Sequence, residues 1–95
     1  MKILAIENEL CPLMLEEKEV LLSEQRKAMY ALYLHGYIRE MNQKEDSNEM
    51  ILVMDCVSRR EAENYLAKLP LVRSGKSTFE IQVLRPYDGF KDLVV

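Results

Sequence analysis

The order of elements along this 95-residue sequence, β-α-β-β-α-β, predicts an α+β fold built on a four-stranded antiparallel sheet. Three observations carry that reading. Short apolar runs of strand character alternate with stretches of helical period in that order, and glycine and proline mark the boundaries. The first and third strand-like runs are apolar on both faces, as central strands are, whereas the second and fourth each have a polar face, as edge strands do. At this length a single domain spanning residues 1–95 is expected, burying about 60–70% of the surface its unfolded chain exposes.

The first strand is expected over Ile3 to Glu7, and Pro12 closes the connection that follows it. From about Leu13 to Leu34 the apolar residues Met14, Leu21, Leu22, Ala28, Met29 and Leu32 recur at helical steps, with charged residues such as Glu16, Lys18, Glu24 and Lys27 between them. Acidic residues crowd the first turns, where they suit the helix dipole, and Gly36 supplies a stop that tolerates positive φ. Tyr37 to Gln43 reads as the second strand and Glu49 to Val57 as the third, joined through the polar cluster Lys44 to Asn48 as a hairpin. Ser58 with Glu61 three residues on has the spacing of a capped helix start. Ala62, Tyr65, Leu66 and Leu69 form the apolar stripe of this second helix, which Pro70 ends. Phe79, Ile81 and Val83 alternate with Glu80 and Gln82 in the fourth strand, Thr78 to Leu84, before Pro86.

With right-handed crossovers this order is a ferredoxin-like split βαβ, which puts the first and third strands at the centre of the sheet. A sheet of this kind is about 19 Å wide, and helices about 10 Å across shield just one of its faces. The other face holds apolar residues at its centre, and such a patch is uncommon on soluble monomers. A homodimer formed sheet to sheet is the simplest cover. The apolar tail residues Phe90, Leu93, Val94 and Val95 are expected either to dock on the body, to reach the partner, or to fray.

Composition narrows the function classes. The chain is 48% apolar and 31% charged, with 13 basic against 16 acidic residues and a net charge of −3, so nucleic acid is not an expected partner. No apolar run approaches the roughly 20 residues of a membrane span, and the N-terminal run is too short for a signal-peptide core. A cytoplasmic protein with no membrane partner is expected. Cys11 and Cys56 lie in unrelated contexts, which points to reduced thiols in buried or half-buried positions. No metal-ligand spacing and no nucleophile beside a base appears, so neither metal nor cofactor is expected.

Few residues are candidates for chemistry. Asp55 is an acid within an otherwise apolar strand, a setting that demands a partner or a raised pKa. If it faces the space beneath the helices it can serve as a general base; at a strand end near solvent it is a satisfied side chain. His35, the only histidine, is either a proton carrier or a cation suited to a helix C-terminus. Tyr30, Tyr33, Tyr37 and Tyr65 either line a pocket mouth as hydrogen-bonding, substrate-binding groups or pack as aromatic core. Ser74-Gly75-Lys76-Ser77 has the end of a phosphate-binding loop, but position 70 is proline rather than glycine and a strand follows, which excludes that loop. Arg59 and Arg60 stand in the first turn of the second helix, where positive charge is unfavourable, so a salt bridge or a dimer contact is expected of them.

Leu69-Pro70-Leu71 followed by Phe79-Glu80-Ile81-Gln82-Val83-Leu84-Arg85-Pro86 resembles the C-terminal half of muconolactone isomerase and its relatives among the dimeric α/β-barrel proteins. The motifs cover about the last third of the chain, and the element order matches over nearly all of it. The loop from Val72 to Ser77 is longer than in that family. The resemblance implies a sheet-to-sheet dimer, sometimes stacked further into a ring. It also implies a small pocket between sheet and helices and cofactor-free proton transfer on small organic substrates. Two functions follow. One is an isomerase-like enzyme in which Asp55, His35 and the nearby tyrosines move a proton; the other is a noncatalytic dimer that binds a small molecule or serves an assembly. A cavity of at least about 300 Å³ holding converging titratable groups favours the enzyme.

Overall fold

The structure, a computed structural model, describes residues 1–93. Along it run β1 (Lys2–Glu9), α1 (Leu15–Leu34), β2 (Ile38–Gln43), β3 (Met50–Asp55), α2 (Arg59–Ala67), α3 (Pro70–Arg73) and β4 (Ser77–Leu84). The strands form one antiparallel sheet in the order β2-β3-β1-β4, so β1 and β3 occupy the centre as their two-sided apolar sequences require.

The register sorts side chains by face. Ile3 pairs with Met54 and Val83, and Ala5 with Leu52 and Ile81, which places all of these on the side covered by the helices. Met29 of α1 and Ala62 and Leu66 of α2 close over that side, and with Ile38, Cys56 and Leu69 they complete the buried core. On the opposite face Leu4 and Ile6 lie beside Val53 and Ile51, flanked by Glu40 and Asn42 of β2 and by Gln82 and Glu80 of β4. Among the described residues no helix crosses this face. It is an apolar centre with a polar rim.

Element ends follow local chemistry. The Glu17 carboxylate accepts the Met14 backbone N–H at 3.0 Å and so caps α1. Gly36 takes φ +82° directly after the helix, the left-handed turn expected of it. Ser58 accepts the Glu61 N–H at 3.1 Å, as its spacing predicts, and Arg59 pairs with Glu63 one turn on at 2.9 Å. Pro70 differs from expectation. The second helix stops at Ala67, and Pro70 instead opens the single turn α3, where its missing N–H would have no helical partner in any case. Cys56 is buried, and that burial raises its thiol pKa, but Cys11 is exposed, because the connection after β1 runs over the surface. Tyr87, Phe90 and Leu93 of the tail are exposed, while Val94 and Val95 lie outside the described residues. Among the described residues no helix is long and apolar enough to cross a membrane.

Candidate functional site

Between α1 and the neighbouring ends of β1, β2 and β3 lies a cavity of about 540 Å³. Leu22, Met29, Met50 and Leu71 give it apolar walls, and Glu7, Gln25, Arg26 and Tyr30 supply its chemistry. It is half open to solvent, and a few polar groups set in an apolar cleft of this size make the usual form of a small-molecule site.

Each polar group is there for a local reason. Glu7 follows Ile3 and Ala5 in the two-residue alternation of β1, so its carboxylate is carried to the helix-covered side and is only 6% exposed. The β1–β3 pairing is registered as far as Ile6 and Ile51, and one step beyond it Glu7 Oε1 accepts the Met50 N–H at 2.9 Å. Gln25 sits within the inward stripe of α1, four residues before Met29, and is 3% exposed. Its Oε1 accepts the Leu71 N–H at 3.0 Å, satisfying a free donor in the first turn of α3. Both side chains are thus anchored through one atom to backbone. Arg26 and Tyr30 follow four residues apart on the adjoining face of α1.

The hairpin beside the cavity is tied down by charge. Lys44 Nζ donates to the Glu7 carbonyl at 3.2 Å and to Glu49 Oε1 at 3.0 Å, while Glu49 Oε2 accepts the Glu9 N–H at 2.6 Å. The Glu9 amide, followed by the Lys44 ammonium, holds the Glu49 carboxyl below its ordinary range.

Of the residues singled out by sequence, Tyr30 lines this cavity and the others lie elsewhere. Asp55 closes the far end of β3, with 51% of its side chain exposed, between the Met1 ammonium at 3.1 Å and Arg39 at 3.9 Å. A register shift between Ile38 and Glu40 makes β2 irregular where Arg39 sits. His35 caps α1, and its Nδ1 lies 2.7 Å from the Ala31 carbonyl; a carbonyl only accepts, so Nδ1 carries the proton. Tyr37 and Tyr65 pack as a tilted pair with ring centroids 4.3 Å apart and planes inclined at 33°, next to Asp55, whose N–H donates to the Tyr37 carbonyl at 2.9 Å. The Tyr37 hydroxyl, then partial burial, pushes the Tyr65 phenol up to about 12. Tyr33 is exposed on α1. The fold therefore gathers Asp55, Tyr37 and Tyr65 at one end of the sheet and Tyr30 at the other.

Glu7, Gln25 and Arg26 were not among the residues the sequence nominated. A signal for the first two was present: a carboxylate continuing the inward alternation of β1, and an amide embedded in the apolar stripe of α1. Among the described residues no cluster of three or more His, Cys, Asp or Glu side chains could hold a metal.

No family model matches the chain, and no curated protein matches it. Solved structures do. Muconolactone isomerase superposes with a TM-score of 0.81 at 16% identity, covering 94% of this chain and 93% of its own. A 5-chloro-2-hydroxyhydroquinone dehydrochlorinase from Burkholderia phenoliruptrix, solved with 2,5-dihydroxybenzoquinone, superposes with a TM-score of 0.64 at 13% identity, covering 92% and 96%. The four-stranded sheet in the order β2-β3-β1-β4, with its helices on one face, is thus the ferredoxin-like α+β fold in its muconolactone isomerase-like form.

Proposed function

We propose that this chain is a cofactor-independent, isomerase-like enzyme. In this reading it acts in the cytoplasm as a homodimer joined through its open sheet faces, and it moves a proton within a small organic substrate held against Glu7. The observation that carries the reading is the buried Glu7 carboxylate in the wall of a cavity of about 540 Å³. Oε1 of Glu7 is engaged by the Met50 N–H, which fixes the side chain and leaves Oε2 as the base. Oε2 takes a proton from a carbon α to a carbonyl, and the C–H electron pair moves into the carbonyl to form an enolate. The same carboxyl returns the proton at a conjugated carbon. One C–H bond is broken and one formed, so no oxidant or reductant is needed.

Arg26 and Tyr30 supply the positive charge and the hydroxyl that hold an anionic substrate, and the Gln25 amide, oriented by its bond to Leu71, is a donor for the developing oxyanion. Asp55 and His35 then serve the far end of the sheet as structural groups. A proton-transfer role for Glu7 is worth about a hundred- to ten-thousandfold in rate.

Muconolactone is the first substrate to try, since the superposing isomerase is named for it. The test is to follow the exchange of its ring protons in deuterium oxide by NMR. The wild-type chain should exchange and isomerise it; Glu7→Gln should lose about a hundredfold or more, while Asp55→Asn and His35→Gln keep their rates. Exchange by Glu7→Gln at the wild-type rate would overturn the assignment. Binding of the probe by wild type with neither exchange nor isomerisation would leave a noncatalytic binding module as the function.

A further inference from the structure

A second chamber of about 230 Å³ opens beside the main cavity and shares Glu7, Leu22, Asn48 and Leu71 with it. Its walls are more polar, with Glu9, Lys18, Lys76 and Ser77 among them. Most of the polar groups around it are engaged within the protein. Lys76 Nζ pairs with Glu17 at 3.0 Å; this bond raises the Lys76 pKa, while Glu17 is lowered first by the Met14 amide and then by Lys76. Glu49 is held by Lys44 and by the Glu9 N–H. The Cys11 thiol lies 3.8 Å from the Gly75 carbonyl.

The Lys18 ammonium and the Glu9 carboxylate have no partner among the described residues but are exposed to water; Ser77 is both unpaired and buried. It begins β4 on the helix-covered side of the sheet, opposite Glu9, and is 4% exposed. Its Oγ is buried with no hydrogen-bond partner among the described residues. Native proteins seldom leave a buried hydroxyl unpaired, and where they do a ligand is one explanation. A serine hydroxyl can donate to a carbonyl or accept from a hydroxyl. A charge buried beside it would need a buried counter-ion; Lys76 and Glu49 are already paired, and the unpaired Lys18 and Glu9 are exposed, with their charges in water.

We propose that Ser77 is a specificity residue: the substrate carries a neutral oxygen substituent, a hydroxyl or a carbonyl, that passes Glu7 into the smaller chamber and hydrogen-bonds to Ser77 Oγ. The proposal rests on the reading of the Glu7 cavity as the substrate site. It narrows the ligand to a molecule with an apolar middle, an anionic end for Arg26 and a neutral oxygen at the other end.

Two probes that differ by one hydroxyl test it: para-methylbenzoate and para-(hydroxymethyl)benzoate, titrated calorimetrically into the full chain and its Ser77→Ala variant. Wild type should bind the hydroxymethyl compound about tenfold tighter, because it alone supplies a partner to a hydroxyl that is buried and unpaired without ligand. Ser77→Ala should bind both alike, at the level of para-methylbenzoate, and should melt no lower than wild type without ligand. Binding of both probes by wild type with equal affinity, or a hydroxyl preference that survives in Ser77→Ala, overturns the role of Ser77 and leaves the Glu7 site standing. A marked fall in the melting temperature of ligand-free Ser77→Ala shows a hydroxyl satisfied inside the protein and overturns it too. Binding of neither probe overturns both this role and the site on which it rests.

Discussion

The two ends of the helix-covered face carry similar side chains and use them differently. At the end of β3, Asp55 lies between two cations, Tyr37 and Tyr65 pack as a tilted pair, and Met54 and Cys56 fill the interior. At the other end of the same strand Met50 borders open space, and Glu7 and Gln25 each have one oxygen on a backbone N–H. A carboxylate next to solvent, paired with charges, is finished. A carboxylate held by one atom beside a cavity is positioned and still has an oxygen to offer. The contrast teaches that an acidic residue's surroundings, more than its being an exception in a strand, determine what it can do.

Truncating the same residue type at each end should give the largest difference. Met54 is fully buried, so Met54→Ala should cost about 2–5 kcal/mol in urea unfolding; Met50→Ala, at a wall already facing space, should cost about 1–2 kcal/mol. Equal costs would mean that the cavity end is packed as tightly as the other. Next in size is Glu7. Glu7→Ala strands the Met50 N–H and should lose about 1–3 kcal/mol, whereas Glu7→Gln keeps an acceptor and most of the stability. A Glu7→Gln variant as unstable as Glu7→Ala would show that the charge, not the acceptor, supports the fold.

Most of the architecture was legible in sequence because it depends on periodicity and punctuation. The two-sided apolar runs of β1 and β3, the alternation of β4, Gly36 after α1 and the Ser58–Glu61 cap each have a local cause that survives without knowledge of the third dimension. Pro70 was misplaced because proline both ends one helix and begins another, and only the tertiary position of Leu69 decides between them. The site was harder. Asp55 stands out within β3, yet it is the last residue of that strand, where the N-terminal ammonium and Arg39 reach it. Glu7 stands at a strand end in sequence and looks ordinary, although β1 runs on to Glu9 and buries it.

The ends should also respond to opposite limbs of pH. The Tyr65 phenol is raised to about 12, so the folded state holds its proton more tightly than the unfolded state does. That contribution is fully present below the unfolded value, about 10, and is lost as pH climbs towards about 12; Tyr65→Phe should remove this alkaline loss from a pH series of melting temperatures. Glu49 and Glu17, near the cavity, are lowered by the backbone amides of Glu9 and Met14 and by their lysines. Their contribution is present above the ordinary carboxylate range and is lost as pH falls through their depressed values, so Glu49→Gln should flatten the acid limb. The smallest effect is expected at Asp55. Its ion pairs are half exposed, so Asp55→Asn should change stability by about 0–1 kcal/mol at moderate salt. A larger loss would give the closed end a role it lacks in this account.

Titrating the isotope-labelled chain with muconolactone, and mapping which backbone amides shift, compares the ends directly. The largest shifts should fall on Met50 and Leu71, whose N–H groups are bonded to Glu7 and Gln25, with Asp55 and Cys56 unmoved. Shifts centred on Asp55 and Cys56, with Met50 and Leu71 silent, would contradict the account by placing the ligand at the end we describe as closed.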